Sequence, residues 1–208
     1  MPRAEADRTL ITVCVIWTTA LIASGVAPYD RLTWFMEVLP VLIAAPVLVG
    51  TRQRLPLTTL VYVLIAFHGL ILIYGGAYSY ARVPLGFWLQ DILGFGRNPY
   101  DRLGHLAQGF VPAMVARELL LRVFRIEGRK ILNFLVVCVV LAISAFYELI
   151  EWWSAVAIGA GADEFLGTQG DVWDTQWDMC MALTGAILAL LLLSRWHDRQ
   201  LSRLKKTT

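Results

Sequence analysis

Charged residues are scarce in this chain of 208 residues: they make up only 16% of it, whereas 58% of the residues are hydrophobic. A soluble domain of this size carries roughly 25% charged residues. The apolar residues also come in blocks of about 20 rather than alternating with polar ones, and such blocks are long enough to cross a hydrocarbon core of about 30 Å. This pattern argues against a soluble core and predicts an integral membrane protein.

Other absences narrow the class of protein further. The three cysteines, Cys14, Cys138 and Cys180, lie far apart inside apolar runs with no CxxC spacing. A disulfide framework and a thiolate metal site are therefore not expected. No linker or low-complexity segment divides the chain, and a net charge of +2 gives no reason to expect a nucleic-acid partner.

The apolar blocks predict an all-α fold, a polytopic bundle of about six transmembrane helices that forms one integral membrane domain over residues 1–208. The predicted spans are about 9–24, 34–50, 57–78, 102–121, 131–158 and 174–194. The first span also resembles a signal peptide, because a small-residue stretch ending at Ala27 looks like a cleavage site. Glu5 and Asp7 are unusual in a signal sequence, so we expect this span to be retained.

The basic residues predict the orientation of the spans. Fourteen of the 18 lysines and arginines flank the span ends on the side of the two termini, and four lie on the opposite side. By the positive-inside rule both termini are expected to be cytoplasmic. The loops near 25–33, 79–100 and 159–173 are then external, and the turn at 122–130 is a cytoplasmic basic turn with no expected role in chemistry.

Ionisable residues inside spans are costly in a bilayer and are candidates for function. Here they collect near the predicted external ends of several spans, and the set is Glu37, Asp101, His105, Glu148, Glu151, Asp171, Asp174 and Asp178. A rise of about 1.5 Å per residue brings those of the fourth, fifth and sixth spans to similar depths. This agreement in depth is the main sequence-based indication of a site.

The spacing within each span places these side chains on shared helix faces. Asp101 and His105 are four residues apart, and Glu148 and Glu151 are one turn apart. The three aspartates that lead into the last span follow an i, i+3, i+7 pattern, which forms one stripe on a helix. The spacing therefore predicts that His105, Glu148 and Asp178 converge near the external face.

The chemistry of these residue types suggests specific roles. We expect His105 to act as a general base or metal ligand with Asp101 orienting its ring, and Glu148, Glu151 or Asp178 to act as acid, base or second ligand. Arg102, Asp171, Asp174 and Glu37 are candidates for substrate binding, Arg102 by pairing with a phosphate. His105, Glu148 and Asp178 are the candidate ligands of a divalent cofactor such as Mn²⁺, Fe²⁺ or Zn²⁺, although no HExxH or ExxH motif is present.

A purely structural polar network is the alternative interpretation of the same residues. In it Asp101 caps the fourth span, His105 donates to a carbonyl group and Arg102 pairs with Glu151. His68, in the middle of the third span, is expected to be a hydrogen-bonded structural histidine.

Several motifs carry a resemblance to a known family. The chain resembles the YjdF-type inner-membrane proteins nearly end to end, through Pro28-Tyr29-Asp30-Arg31, 80–88 (YARVPLGFW), 100–105 (YDRLGH) and 167–171 (GTQGD). This resemblance implies a multi-pass protein of the bacterial inner membrane. A more distant likeness is to VanZ-like membrane proteins, in an Asp-Arg-x-x-His motif at 101–105, in Glu148 to Glu151, and in the segment from Asp178 to Gly185.

Three classes of function stay open at this point. The first is a membrane enzyme that acts on an amphiphilic, lipid-linked substrate at the external leaflet. The second is a proton- or cation-coupled transporter, although transporter sites usually lie at the midplane of the bilayer. The third is a non-catalytic protein that binds a lipid or a partner subunit.

Overall fold

A computed structural model describes residues 3–159 and 168–205, and the described residues form helices joined by short turns. The helices are α1 (Arg3–Gly25), α2 (Arg31–Thr51), α3 (Thr59–Tyr78), α4 (Pro84–Leu93), α5 (Tyr100–Arg122), α6 (Arg129–Ile158) and α7 (Asp174–Lys205), with a 3₁₀ turn at Tyr80–Arg82.

Five of these helices are long and apolar enough to cross a membrane, namely α1, α2, α3, α6 and α7. The predicted fourth span coincides with α5, which is 23 residues long and therefore about 34 Å in length. Its charged residues, including Arg117 and Glu118, lower its mean hydropathy, but both side chains are buried. The structure is thus the predicted polytopic helical bundle, in which α5 is long enough to be the sixth span.

Local capping explains where the helices begin. The carboxylate of Asp30 accepts a hydrogen bond from the backbone N–H of Thr33 at 2.7 Å and starts α2, and this bond lowers the pKa of Asp30. The start of α5 differs from the alternative considered above, because Asp101 is not its cap. Instead, Oδ1 of Asn98 accepts a hydrogen bond from the backbone N–H of Tyr100 at 3.0 Å, which leaves the Asp101 side chain available for other contacts.

The centre of the bundle is the α5–α7 pair, with α3 and α6 packed beside it. Two glycines permit the close approach of this pair. A Cβ added at Gly109 would collide with the backbone carbonyl of Ala182, and one added at Gly185 would collide with that of Leu106. Small residues at such crossings allow transmembrane helices to approach closely. The pair therefore holds the polar side chains of α5 and α7 at short range.

The contacts show that the described loops lie at two opposite ends of the bundle, as the charge pattern predicted. At one end, here called the basic end, Arg52 after α2 lies 3.9 Å from Asp7 of α1, and Arg122 of α5 donates to the carbonyl of Pro56 at 2.6 Å. At the other, here called the acidic end, Tyr29 donates its N–H to the carbonyl of Ala77 at 3.0 Å. The start of α1 and the end of α7 both lie at the basic end.

The predicted external loop at 79–100 contains a helix that the sequence analysis did not predict. This helix, α4, begins with Pro84 at its first position, and Asn98 ties it to α5 by donating from Nδ2 to the carbonyl of Val83 at 3.0 Å. Phe87, Trp88 and Ile92 are exposed on it, which is typical of a helix that lies in the membrane interface. Residues 160–167 of the third predicted external loop lie outside the described residues.

Candidate functional site

His105 of α5 lies at the centre of a cluster of carboxylates at the acidic end. Its Nε2 atom is 3.6 Å from Oδ1 of Asp101 and 3.9 Å from Oδ2 of Asp178 on α7. On the other side of the ring, Nδ1 is 3.8 Å from Oε1 of Glu148 on α6 and 3.1 Å from Oε1 of Gln108. The structure thus brings together His105, Glu148 and Asp178 from three helices.

The contact with Gln108 favours one tautomer of the ring. Since an amide oxygen can only accept a hydrogen bond, a proton on Nδ1 completes this contact and leaves the lone pair of Nε2 facing Asp101 and Asp178. The distances of 3.6 and 3.9 Å from Nε2 are too long for direct hydrogen bonds. Nε2 and the two carboxylates therefore surround a small space. Each of these three groups directs a lone pair of electrons into it.

The carboxylates of this cluster are buried and incompletely paired. Asp178 is 2% exposed and Glu148 is 9% exposed, and Oδ1 of Asp178 and Oε1 of Glu148 have no hydrogen-bond partner. A buried carboxylate without a partner is strongly unfavourable in its charged form. The cluster is therefore one that a bound cation would stabilise.

The donor set fits a divalent metal ion. Asp101, His105 and Asp178 each offer one ligand atom, and these three atoms lie within 4.8 Å of one another. A zinc-sized ion holds its ligand atoms at about 2.0–2.2 Å, so these three side chains would need to move only slightly closer together to bind one. Glu148, a ligand candidate from the sequence, lies on the Nδ1 side of the ring, whereas Asp101 lies on the Nε2 side. Gln108 and Glu148 are thus placed to orient the imidazole rather than to bind the ion.

A cavity of about 220 Å³ adjoins the cluster. Glu37 of α2 and Glu151 of α6 line it together with Asp101 and His105, while Tyr80 and Tyr147 contribute aromatic walls. Glu148 and Asp178 are not among its lining residues. Glu37 and Glu151 therefore face the cavity and Glu148 and Asp178 lie beside the imidazole, while Asp101 does both.

Arg102, Asp171 and Asp174 have ion-pair partners close to the start of α5. Arg102 donates to Oδ2 of Asp171 at 2.7 Å, so its alternative pairing with Glu151 was wrong. Asp174 is 2.5 Å from Nη2 of Arg97, which also lies 3.9 Å from Oδ2 of Asp101. These pairs fix the segment before α7 onto α5. The substrate-binding role of Arg102, Asp171, Asp174 and Glu37 stays a prediction.

Sequence reasoning missed Arg97, Gln108 and Tyr80 as members of this site. Arg97 is one of the four basic residues on the predicted external side, and its position four residues before Asp101 is a signal that points to the site. Tyr80 enters the site through the 3₁₀ turn, which has no sequence signature. The Nε2 atom of His68 is buried without a hydrogen-bond partner, and the structural role expected for this histidine stays a prediction.

A second buried polar cluster lies at the basic end and was not predicted. Glu118 of α5 is fully buried and accepts hydrogen bonds from the backbone N–H and the hydroxyl of Thr58, the latter at 2.7 Å. His197 of α7 is 2.9 Å from its Oε2, and Arg122 pairs with its Oε1 at 2.5 Å. Both carboxylate oxygens are paired, so this cluster is a structural joint between α3, α5 and α7.

Comparison with known proteins places the chain in a family. The model of the family described as predicted membrane protein (DUF2238) matches residues 9–199. The chain belongs to this family. It is also 55% identical over 203 residues to "Inner membrane protein YjdF" of Escherichia coli (strain K12), an alignment that covers 98% of this chain and 97% of that protein. No solved structure matches the chain. The chain is accordingly a multi-pass inner-membrane protein, and its likeness to VanZ-like proteins stays a resemblance in sequence.

Proposed function

We propose that this protein binds a divalent metal ion near the external face of the inner membrane and uses it to act on the headgroup of an amphiphilic, lipid-linked substrate. The observation that carries the proposal is the group of ligand atoms from Asp101, His105 and Asp178 within 4.8 Å of one another. Imidazole and carboxylate donors suit Mn²⁺, Fe²⁺ or Zn²⁺. A metal ion at this position supplies Lewis acidity toward an oxygen atom of the headgroup.

The residues around the ligands have consistent roles in this proposal. Gln108 accepts from Nδ1 of His105 and keeps Nε2 free for the ion. Glu148, with an unpaired buried oxygen 3.8 Å from Nδ1, is placed to hold or release a proton. Glu37 and Glu151 line the adjoining cavity, where they face the space that a headgroup would occupy.

The alternative of a proton- or cation-coupled transporter has less support from the same structure. Along α5, His105 and Glu118 are 13 residues apart, which corresponds to about 20 Å. The residues of α5 that line the crevice between them, Val111, Pro112, Val115 and Ala116, are apolar. The described lining of this crevice offers a charged solute little polar surface, so we favour a site with access from one side of the membrane.

Metal content measured on the purified protein tests the proposal. We expect the wild-type protein to carry about one divalent ion per chain after incubation with Mn²⁺ and removal of excess, in keeping with one group of three ligands. Asp178→Asn should lose the ion, because the neutral amide is a poorer ligand of similar shape. Asp91→Asn, on the exposed part of α4, is the matched control and should keep it.

The catalytic part of the proposal needs a second measurement. The Mn²⁺-loaded protein is incubated with vesicles of bacterial polar lipids, and the lipids are compared by mass spectrometry before and after. A headgroup change that depends on Asp178 supports an enzyme. A metal-loaded protein that retains a lipid and leaves every headgroup unchanged would instead support the non-catalytic binding protein. Absence of metal from the wild-type protein would contradict the proposal itself.

A further inference from the structure

An apolar crevice opens between α2 and α6 toward the surrounding lipid. Its volume is about 360 Å³. In the described part of the chain, α2 packs against α1 and α3, α6 packs against α5 and α7, and α2 and α6 do not pack closely on each other. The residues at its rim, Val47, Val139 and Ile143, are exposed, whereas Val41 and Ala116 inside it are buried. The gap between the two helices is therefore an open side entrance.

The position of this crevice determines what can fill it. It extends along α5 from Val111 to Leu119, a distance of about 12 Å within the span. Its lining is apolar apart from Trp17 and His68. At this depth the crevice faces the hydrocarbon core of the bilayer, where the available occupants are lipid chains.

The crevice is continuous with the cavity beside the candidate metal site. Five residues line both spaces, namely Pro40, His68, Leu72, Pro112 and Ile143. Proline has no N–H, so Pro40 and Pro112 each interrupt the backbone hydrogen bonding of their helix at this neck. The buried Nε2 of His68, which has no hydrogen-bond partner, lies at the same point. The two spaces thus form one passage that is polar at the acidic end and apolar below it.

The direction of this passage matches a lipid of the external leaflet. From His105 to Leu119 the passage follows α5 for 14 residues, or about 21 Å. A lipid with its headgroup at the external face extends its chains toward the midplane, which lies about 15 Å below the surface of the hydrocarbon core. The headgroup would then meet the carboxylate–imidazole cluster while one chain occupies the crevice.

We infer that the crevice between α2 and α6 is the binding site for a hydrocarbon chain of a phosphate-bearing membrane lipid, which enters sideways from the bilayer. The inference rests on the proposed function, since a metal ion at Asp101, His105 and Asp178 is what attracts the phosphate into an otherwise acidic site. It adds the substrate class and the route of entry. The lipid is thus expected to bind with its phosphate group in the cavity and its hydrocarbon chain in the crevice, on the other side of His68.

Photo-crosslinking tests this inference. The probe is phosphatidic acid with a diazirine in the middle of one acyl chain, in vesicles of phosphatidylethanolamine and phosphatidylglycerol. We expect adducts on peptides that contain Ala44, Val139 or Ile143, and we expect excess unlabelled phosphatidic acid to remove them. Ala44→Phe places a ring in the crevice and should abolish these adducts. Ala142→Phe, a matched change at an exposed position of α6, should leave them unchanged.

Metal content measured on the same samples distinguishes the crevice inference from the proposed metal site. Ala44→Phe should retain its Mn²⁺, because Ala44 does not contact the ligands, and retention also shows that the variant is folded. Adducts that persist in Ala44→Phe, or that are spread evenly over the lipid-facing surface, would overturn the crevice inference and leave the metal site standing. Adducts confined to the crevice in a protein that binds no metal would support the chain site and contradict the proposed function.

Discussion

The Nε2 atom of His105 on α5 lies 3.9 Å from Oδ2 of Asp178 on α7. The two residues are 73 positions apart in the sequence, and they meet because α5 and α7 form the closest helix pair of the bundle. Oδ1 of Asp178 has no partner of its own. The distance between these two side chains therefore depends on the packing of the two helices. It is long enough for a ligand to lie between them.

The packing of α5 on α7 predicts the effect of a single methyl group. Gly109→Ala should destabilise the protein by about 1–3 kcal/mol, because the added Cβ meets the carbonyl of Ala182 and the helices must separate. The same separation moves Asp178 away from His105 and should weaken Mn²⁺ binding. Thermal unfolding in detergent and a Mn²⁺ titration measure the two effects.

Gly50→Ala is the control for this change. Gly50 also lies in a helix, and no atom lies within 4 Å of a Cβ added there. Equal melting temperatures for the two variants would mean that the α5–α7 crossing is looser than the structure indicates.

The buried joint at the basic end predicts a large loss of stability without a loss of metal. Glu118→Ala removes the acceptor for Thr58 and the partner of His197 and Arg122. Removing one member of a buried charged pair typically costs about 3–5 kcal/mol. Chemical denaturation in detergent measures the stability, and the Mn²⁺ content of the folded fraction should stay that of the wild type.

Glu127→Ala, at an exposed position a few residues further on, should change the stability little and serves as the comparison. If Glu118→Ala lowered metal content while the protein stayed folded, the two polar clusters would be linked, and the assignment of Glu118 to a structural joint would be wrong.

The sequence predicted part of this architecture because the underlying signals are local. The period of the helix places Asp101 and His105 on one face, and the rise per residue brings Glu148 and Asp178 to a matching depth. The sequence could not predict which of these carboxylates lie beside Nε2 of His105, because that depends on how α6 and α7 are rotated about their axes. The sequence therefore names Glu148 among the candidate ligands, whereas in the structure Asp101 lies nearer Nε2 and Glu148 lies on the Nδ1 side of the ring.

Other features were beyond pattern reasoning because they depend on the path of loops or on partners distant in the sequence. The contact between Arg97 and Asp174 joins the segment before α5 to the first residue of α7, 77 positions further along the chain. The pairing of Glu118 with His197 joins two helices whose order in the bundle the sequence does not specify. The sequence predicts a loop where α4 lies, because ten residues are too few for a span.

The topology yields a prediction that is independent of chemistry. Both termini should be cytoplasmic, because the charge bias agrees with the placement of the start of α1 and the end of α7 at the basic end. Reporter fusions after Thr208 and within 159–173 should report opposite compartments. The same compartment for both would show that the number of spans between them is wrong.

The coordination of Mn²⁺ by the imidazole of His105 tests the central claim most directly. Electron spin echo envelope modulation of the Mn²⁺-loaded protein should show coupling to one ¹⁴N nucleus in the wild type and in Asp91→Asn. The coupling should disappear in His105→Gln. Bound Mn²⁺ with no ¹⁴N coupling in the wild type, or a coupling that survives in His105→Gln, would contradict a metal site built on His105, Asp101 and Asp178.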